Sequence, residues 1–221
     1  SWRFSLLFLL LSFLLSVPGE RTRPQKSVTA AASANIRIMT FNIRYGTAND
    51  GENRWGLRRS SVFKLLRDQD PDIIGVQEAL RFQLDELRTA LPQYGEIGTG
   101  RDDGKTAGEY AAILYRSPRF AAKRQGTFWF SDTPDVPGSK SWGNNIPRIC
   151  TWALLADSGS GKSLYVFNVH LDHESQRSRE QSALLLQERI QNVETGTPII
   201  VLGDFNTGEQ NLTVRIIQGE D

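Results

Sequence analysis

The segment VLGDFN, residues 201 to 206, ends an apolar run on a carboxylate, Asp204, and an amide, Asn206, two positions later. Three other apolar runs end in a comparable way. IMTF leads to Asn42, DIIGV leads to Gln77 and Glu78, and VFNVHLDH carries Asn168 and His170. Strand ends hold side chains in fixed relative positions on a rigid sheet, so polar groups gathered there read as a site. One polar residue at a strand end is an ordinary start of a solvated loop, and Asp204 alone could be a turn cap. Four such ends carrying Asn, Glu, His and an Asp-x-Asn pair read as a constellation.

Carboxylates and amides without a cysteine–histidine cluster suit a hard cation, Mg²⁺ with Mn²⁺ as the alternative. Mg²⁺ takes few protein oxygens and completes its shell with water and substrate phosphate. Zinc is disfavoured because His170 and His173 are the only two histidines of the chain. A Ser-His-Asp hydrolase lacks its G-x-S-x-G elbow. The set therefore points to metal-assisted attack of water on a phosphate ester.

The elements that must position these groups can be read from periodicity. IRIMTFNI, from Ile36, is a strand, and WGLRRSSVFKLLRDQ puts Val62, Leu65 and Leu66 at helical spacing until Pro71 stops it. DIIGVQE is a short buried strand, and FQLDELRTAL is helical through Leu84, Leu87 and Leu91. YAAILYR, FAAKRQGTFWF, RICTWALL and SLYVFNVHL are β-like, with a loop at 131–147 that is too long and too rich in Pro and Gly for a hairpin. A helix is expected from Arg177 to Val193, then the strand PIIVLG and a helical NLTVRIIQ. Helices alternate with strands early and strands dominate the middle, which predicts a mixed α/β sandwich over a doubly wound parallel sheet.

Bulk properties set limits. The 221 residues suffice for one domain, and a net charge of +1 gives no global field for polyanions. Any nucleic-acid partner would need a local basic stripe, for which Arg101, Lys105, Arg116, Arg119, Lys123 and Arg124 are the candidates. The single cysteine, Cys150, excludes an internal disulfide and reads as a buried inert thiol. SGSGKS, residues 158 to 163, mimics the end of a phosphate-binding P-loop. The first glycine of that motif would fall on Ala156 and the segment leads into a strand, so a hairpin turn is expected.

The N-terminus has one positive charge at Arg3, an apolar run from Phe4 to Leu15 and then small, turn-forming residues. This layout predicts a signal peptide over 1–19 and an exported protein, an uncleaved membrane anchor being the alternative. Residues 20–35 read as a flexible linker, leaving 36–221 as the catalytic domain.

In this order and spacing, MTFNIR, DIIGVQE, GEYAAILYR, VFNVHLDH and VLGDFN resemble the endonuclease/exonuclease/phosphatase superfamily, which spans deoxyribonucleases, abasic-site endonucleases, sphingomyelinases and nocturnin-like proteins. The resemblance runs from Ile36 to Asn206. It implies a four-layer α/β sandwich, two packed mixed β-sheets flanked by helices, with the site at one end. It also implies roles. Glu78 matches the principal metal-binding carboxylate and Asn42 the amide beside it. Asp204 matches the residue that orients or deprotonates the attacking water, and Asn206 its amide partner at the phosphate. His170 matches a phosphate-contacting histidine, Glu109 the glutamate that orients that histidine, and Arg148 a phosphate-contacting arginine. His173 is left as a substrate contact, and Asp172 as either a neighbour of the site or a loop cap.

The Ser-Asp-His that closes the family pattern has no counterpart before Asp221. The expectation is therefore a C-terminally truncated catalytic domain of low stability, with loss of activity as the other reading. Three functions follow: a metal-dependent phosphoesterase acting on a phosphomonoester or phosphodiester, an exported nuclease, or an inactive phosphate-binding module. A phosphate-ester substrate and a monomer without a stable protein partner are expected.

Overall fold

The computed structural model describes residues 35–220, so the expected signal peptide and nearly all of the expected linker lie outside the described residues. The first sheet contains β1 (Ile38–Asn42), β2 (Ile73–Ala79), β3 (Tyr94–Ile97) and β4 (Tyr110–Arg116), in the order β1-β2-β4-β3. The second contains β5 (Phe120–Trp129), β6 (Ile149–Asp157), β7 (Lys162–His170) and β8 (Ile199–Asp204), in sequential order. Each sheet has one parallel pair, β1 with β2 and β7 with β8, and is otherwise antiparallel. Parallel neighbours need a crossover, supplied here by the helices α1 (Trp55–Gln69) and α3 (Gln176–Gln191). The remaining helices are α2 (Arg81–Ala90) and α4 (Leu212–Gln218).

Three apolar clusters mark the interfaces of four layers. Val62 and Leu66 of α1 and Leu84 and Leu87 of α2 pack on Ile74, Val76 and Leu114. Between the sheets lie Ile73, Ile113, Leu155, Val166 and Leu202. Leu186 of α3 packs with Tyr165, Phe167 and Val169 on the far face of the second sheet, joined by Ile190 and Ile217. β2, β4, β6 and β7 are covered on both faces, which is why they read as apolar runs with little alternation. The expected α/β sandwich with two mixed sheets is the observed fold.

Two glycines are required by close approach. A Cβ on Gly75 would lie 1.8 Å from Leu202 Cδ1, so the two sheets close over this bare backbone. Gly203 has φ +145°, and a Cβ there would meet the Val169 carbonyl oxygen at 2.1 Å. The glycine of VLGDFN therefore lets β8 lie against β7 and deliver Asp204 opposite His170.

Two features differ from the sequence reading. β5 and β6 pair directly, Trp129 opposite Ile149, so the segment at 131–147 does close a hairpin. Loop closure costs grow only with the logarithm of length. The loop also holds itself together: Ser131 and Ser139 hydroxyls bond at 2.6 Å and Trp142 Nε1 donates to Asp132 Oδ1 at 2.8 Å. The strand β3, only four residues long, was not foreseen. The turn at SGSGKS does join β6 to β7, with Gly161 at φ +69°, and Cys150 is buried. No helix among the described residues is long and apolar enough to cross a membrane.

Candidate active site

The C-terminal ends of β1, β2, β7 and β8 meet at one edge of the sandwich. Asn42 Nδ2 donates to Glu78 Oε1 at 2.8 Å and to Asp204 Oδ2 at 2.9 Å, so one amide joins a carboxylate from each sheet. A cleft of about 290 Å³ opens here, lined by Glu78, Glu109, Arg148, His170, His173 and Asn206, with Arg44, Tyr45 and Ile146 completing the wall.

Glu78 reaches this cleft through a backbone irregularity. The β2–β4 register shifts between Gln77 and Ala79, and Glu78 has φ +62°. A bulge of this kind turns one side chain out of the strand alternation. Its neighbour Gln77 therefore points the other way, into the sandwich. Arg44 and Asn206, with φ +58° and +48°, also sit on the cleft wall in the left-handed region. Such conformations cost energy for residues with a Cβ and persist where surrounding structure enforces them.

The loop after β1 is fixed by Gln83 of α2. Its Oε1 accepts from Gly46 N at 2.6 Å and Leu80 N at 3.0 Å, and its Nε2 donates to the Arg44 carbonyl at 3.0 Å. Tyr45 N in turn donates to Glu78 Oε2 at 3.2 Å. Asp204 is held at both oxygens, by Asn42 and by Asn206 N at 2.9 Å. Asn206 Nδ2 donates to the Leu171 carbonyl at 2.9 Å, tying the loop after β8 to the end of β7.

Arg148 is buried and central. Its Nε donates to Asp172 Oδ2 at 3.3 Å, Nη1 lies 3.0 Å from His170 Nε2, and Nη2 lies 2.5 Å from His173 Nδ1. Asp172 also accepts from Glu174 N and Ser175 N, so it is both a loop cap and the anchor of Arg148. Burial, reinforced by the charge of Arg148, depresses the His170 pKa to about 3, and the ring is neutral at physiological pH. Burial raises the Glu109 pKa, against the opposing charge of Arg101.

The structure brings Asn42, Glu78, Glu109, Arg148, His170, His173, Asp204 and Asn206 to one place, with two departures from the expected pattern. Glu109 does not hold His170. Its carboxylate forms a bidentate pair with Arg101, at 2.8 and 2.9 Å, and His170 meets Arg148 instead. A largely buried carboxylate demands a cation, and Arg101 folds back from the 98–108 loop to supply it. Gln77 and Asn168 leave the cluster entirely. Gln77 Nε2 donates to Asn168 Oδ1 at 2.7 Å, and Asn168 Nδ2 donates to the Val76 and Ala112 carbonyls at 3.1 and 2.7 Å. This amide pair bridges the two sheets. Arg44, Tyr45 and Ile146 were not foreseen as cleft residues, because only the loop geometry puts them there.

The oxygens present fit a hard divalent ion. Among the described residues no group of three or more His, Cys, Asp or Glu could hold a metal ion by itself. A hard divalent cation takes one or two protein carboxylates and completes its shell with water and substrate phosphate. Of the two carboxylates lining the cleft, Glu109 is committed to Arg101, which leaves Glu78. The Oδ1 of Asn42 accepts from Arg44 N at 2.9 Å and its nitrogen faces the two carboxylates, so here Asn42 orients the acids.

The four arginines of the anticipated basic stripe are each paired with a carboxylate. Arg101 pairs with Glu109, Arg116 with Asp70, Arg119 with Asp157 at 2.9 Å, and Arg124 with Glu194 at 3.5 Å.

The model of the Endonuclease/Exonuclease/phosphatase family matches residues 39–218. The chain belongs to this family. Membership places it among phosphoester hydrolases, a family whose enzymes generally depend on a divalent metal. A Bacteroides thetaiotaomicron mannosyl-6-phosphatase is 36% identical, with a TM-score of 0.80 over 84% of this chain and 71% of that one. An uncharacterised protein of Acanthamoeba polyphaga mimivirus is 30% identical over 187 residues, 80% of this chain and 69% of the viral protein. Protein angel of Drosophila melanogaster is 25% identical over 179 residues, 76% of this chain and 48% of angel. The chain thus spans about half to seven-tenths of these relatives.

Proposed function

We propose that this member of the Endonuclease/Exonuclease/phosphatase family is a Mg²⁺-dependent phosphomonoesterase acting on a small phosphorylated alcohol such as a sugar phosphate. The observation that carries the reading is the amide of Asn42 bonded at once to Glu78, which lines a small cleft, and to Asp204 of the other sheet. Two carboxylates from separate sheets are thereby kept at fixed spacing beside the histidines and Arg148.

Glu78 would hold the ion, and Mg²⁺ bound there would offset negative charge developing on the phosphate oxygens. Asp204, fixed at both oxygens, is the base. Water adds its oxygen to phosphorus, its proton passes to Asp204, the ester P–O bond breaks, and the departing alkoxide takes a proton from solvent. Positioned general-base help of this kind is worth roughly 10²–10⁴-fold. His173 and Asn206 supply polar groups to the phosphate, and Arg148 holds the histidines in place.

Two observations support a small monoester over a polynucleotide. Affinity for a nucleic-acid backbone rests on lysines and arginines free to neutralise phosphates, and four of the six residues of the candidate basic stripe, Arg101, Arg116, Arg119 and Arg124, are paired with carboxylates. The relative named for mannosyl-6-phosphatase activity is also well above the identity at which only the fold is shared. The apolar N-terminal run supports export.

Rates with mannose 6-phosphate, bis-p-nitrophenyl phosphate and supercoiled plasmid, each with Mg²⁺ and with EDTA, test the reading. Phosphate release from the monoester in Mg²⁺ alone is expected to be fastest. Plasmid nicking without monoester hydrolysis would overturn it in favour of a nuclease.

A further inference from the structure

Arg148 is 2% exposed, and each arm of its guanidinium meets an acceptor: Asp172 at 3.3 Å, His170 Nε2 at 3.0 Å and His173 Nδ1 at 2.5 Å. A guanidinium has five N–H donors, no acceptor, and keeps its proton in proteins. The two ring nitrogens facing it must therefore present lone pairs. In a neutral imidazole the proton then sits on the other nitrogen.

We infer that Arg148 is a positioning residue that imposes opposite tautomers on the two histidines of the cleft, Nδ1–H on His170 and Nε2–H on His173. The second half of the inference, that His173 Nε2–H is the donor offered to the substrate phosphate, rests on the phosphomonoesterase reading. His170, closed at Nε2, is the buried anchor of Arg148.

Three further observations agree. His173 is about half exposed at its side chain, as a group offered to a substrate must be. Arg148 cannot swing away, because Asp172 is fixed by Glu174 N at 3.0 Å and Ser175 N at 2.7 Å, and its carbonyl accepts from Arg179 Nη1 at 2.8 Å. Burial also keeps His170 uncharged. Free histidine favours Nε2–H, so an Nδ1–H ring at His170 is a state the protein must enforce.

The 221-residue chain has only two histidines, so its long-range ¹H–¹⁵N spectra contain two imidazoles, and His173→Gln assigns them. At pH 7.5, two neutral rings of opposite tautomer are expected. Two rings of the same tautomer, or a charged His170, would overturn the inference. In folded Arg148→Met, His170 is expected to revert to Nε2–H; retention of both wild-type tautomers would show that Arg148 does not set them. If that variant fails to fold, Arg148→Lys serves, since one ammonium cannot span both rings and at least one is expected to revert. These spectra need no turnover and stand whether or not the phosphomonoesterase reading holds. The donor role is read separately, as a rise in KM of about tenfold for His173→Ala with little change in kcat, the loss of one hydrogen bond to a charged group. An unchanged KM removes that role and leaves the tautomers untouched.

Discussion

Asn42 and Asp204 are 162 positions apart, and Nδ2 of the first donates to Oδ2 of the second at 2.9 Å. The bond spans the seam between the two sheets, because β1 edges one and β8 edges the other. Asn42 simultaneously holds Glu78, so its loss frees both acids. Asn42→Ala is expected to lower kcat/KM by about 10²-fold or more and stability by about 1–2 kcal/mol. Steady-state kinetics and urea denaturation on one preparation check both. Loss of stability with activity unchanged would reduce Asn42 to a structural clasp.

Glu78 pairs a functional side chain with φ +62°. Ordinarily Gly is less favourable than Ala in a strand. At this position the left-handed backbone penalises any Cβ by roughly 1–2 kcal/mol. Glu78→Gly should therefore be more stable than Glu78→Ala by about 1 kcal/mol, with both inactive. Thermal melts of the two variants decide the sign, and an Ala variant at least as stable would mean the bulge relaxes freely.

The buried amide pair makes a prediction about stability alone. Asn168→Ala would remove the donor to the Val76 and Ala112 carbonyls and leave Gln77 Nε2 with Thr40 Oγ1 as its partner, at a cost of about 1–3 kcal/mol. Below its lowered melting temperature the variant should hydrolyse substrate within a few-fold of wild type, since neither amide lines the cleft.

A pH effect follows from His170. Its folded pKa, about 3, lies below the unfolded value of about 6.5. Between those values the unfolded chain binds the extra proton, so stability from this group is complete above about pH 6.5 and declines as pH falls toward 3. The difference between wild type and His170→Gln in urea midpoint, measured from pH 7.5 to pH 4, should shrink with acidification. Parallel curves would mean the histidine is not held neutral.

Most of the fold was legible because burial on both faces writes itself as apolar runs and helical spacing, as in β2, β4 and α2. Four-residue β3 carries too little pattern to register, and the β5–β6 hairpin was hidden because its loop is organised by its own polar contacts. For the site, strand-end position picked out Asn42, Glu78, His170 and Asp204, which the structure brings together at one edge of the sandwich. It could not separate Asn168 from His170, since two residues of the same strand with the same facing differ only in how far they stand from the edge. Gln77 and Glu78 were likewise confused, because the bulge that divides them leaves no mark in the sequence. The Arg101–Glu109 pair joins residues eight positions apart in a glycine-rich loop whose path only the structure reveals.

The central claim is that Glu78 and Asp204 act on one phosphate ester in one cleft. It is tested most directly by phosphate release from mannose 6-phosphate by wild type, Glu78→Gln and Asp204→Asn, each across a Mg²⁺ titration from EDTA upward. The predicted result is hydrolysis by wild type that rises with Mg²⁺ and vanishes in EDTA, with losses of roughly 10²–10⁴-fold in both variants and recovery at high Mg²⁺ in neither. Hydrolysis by wild type undiminished in EDTA, or by either variant at the wild-type rate, would contradict it.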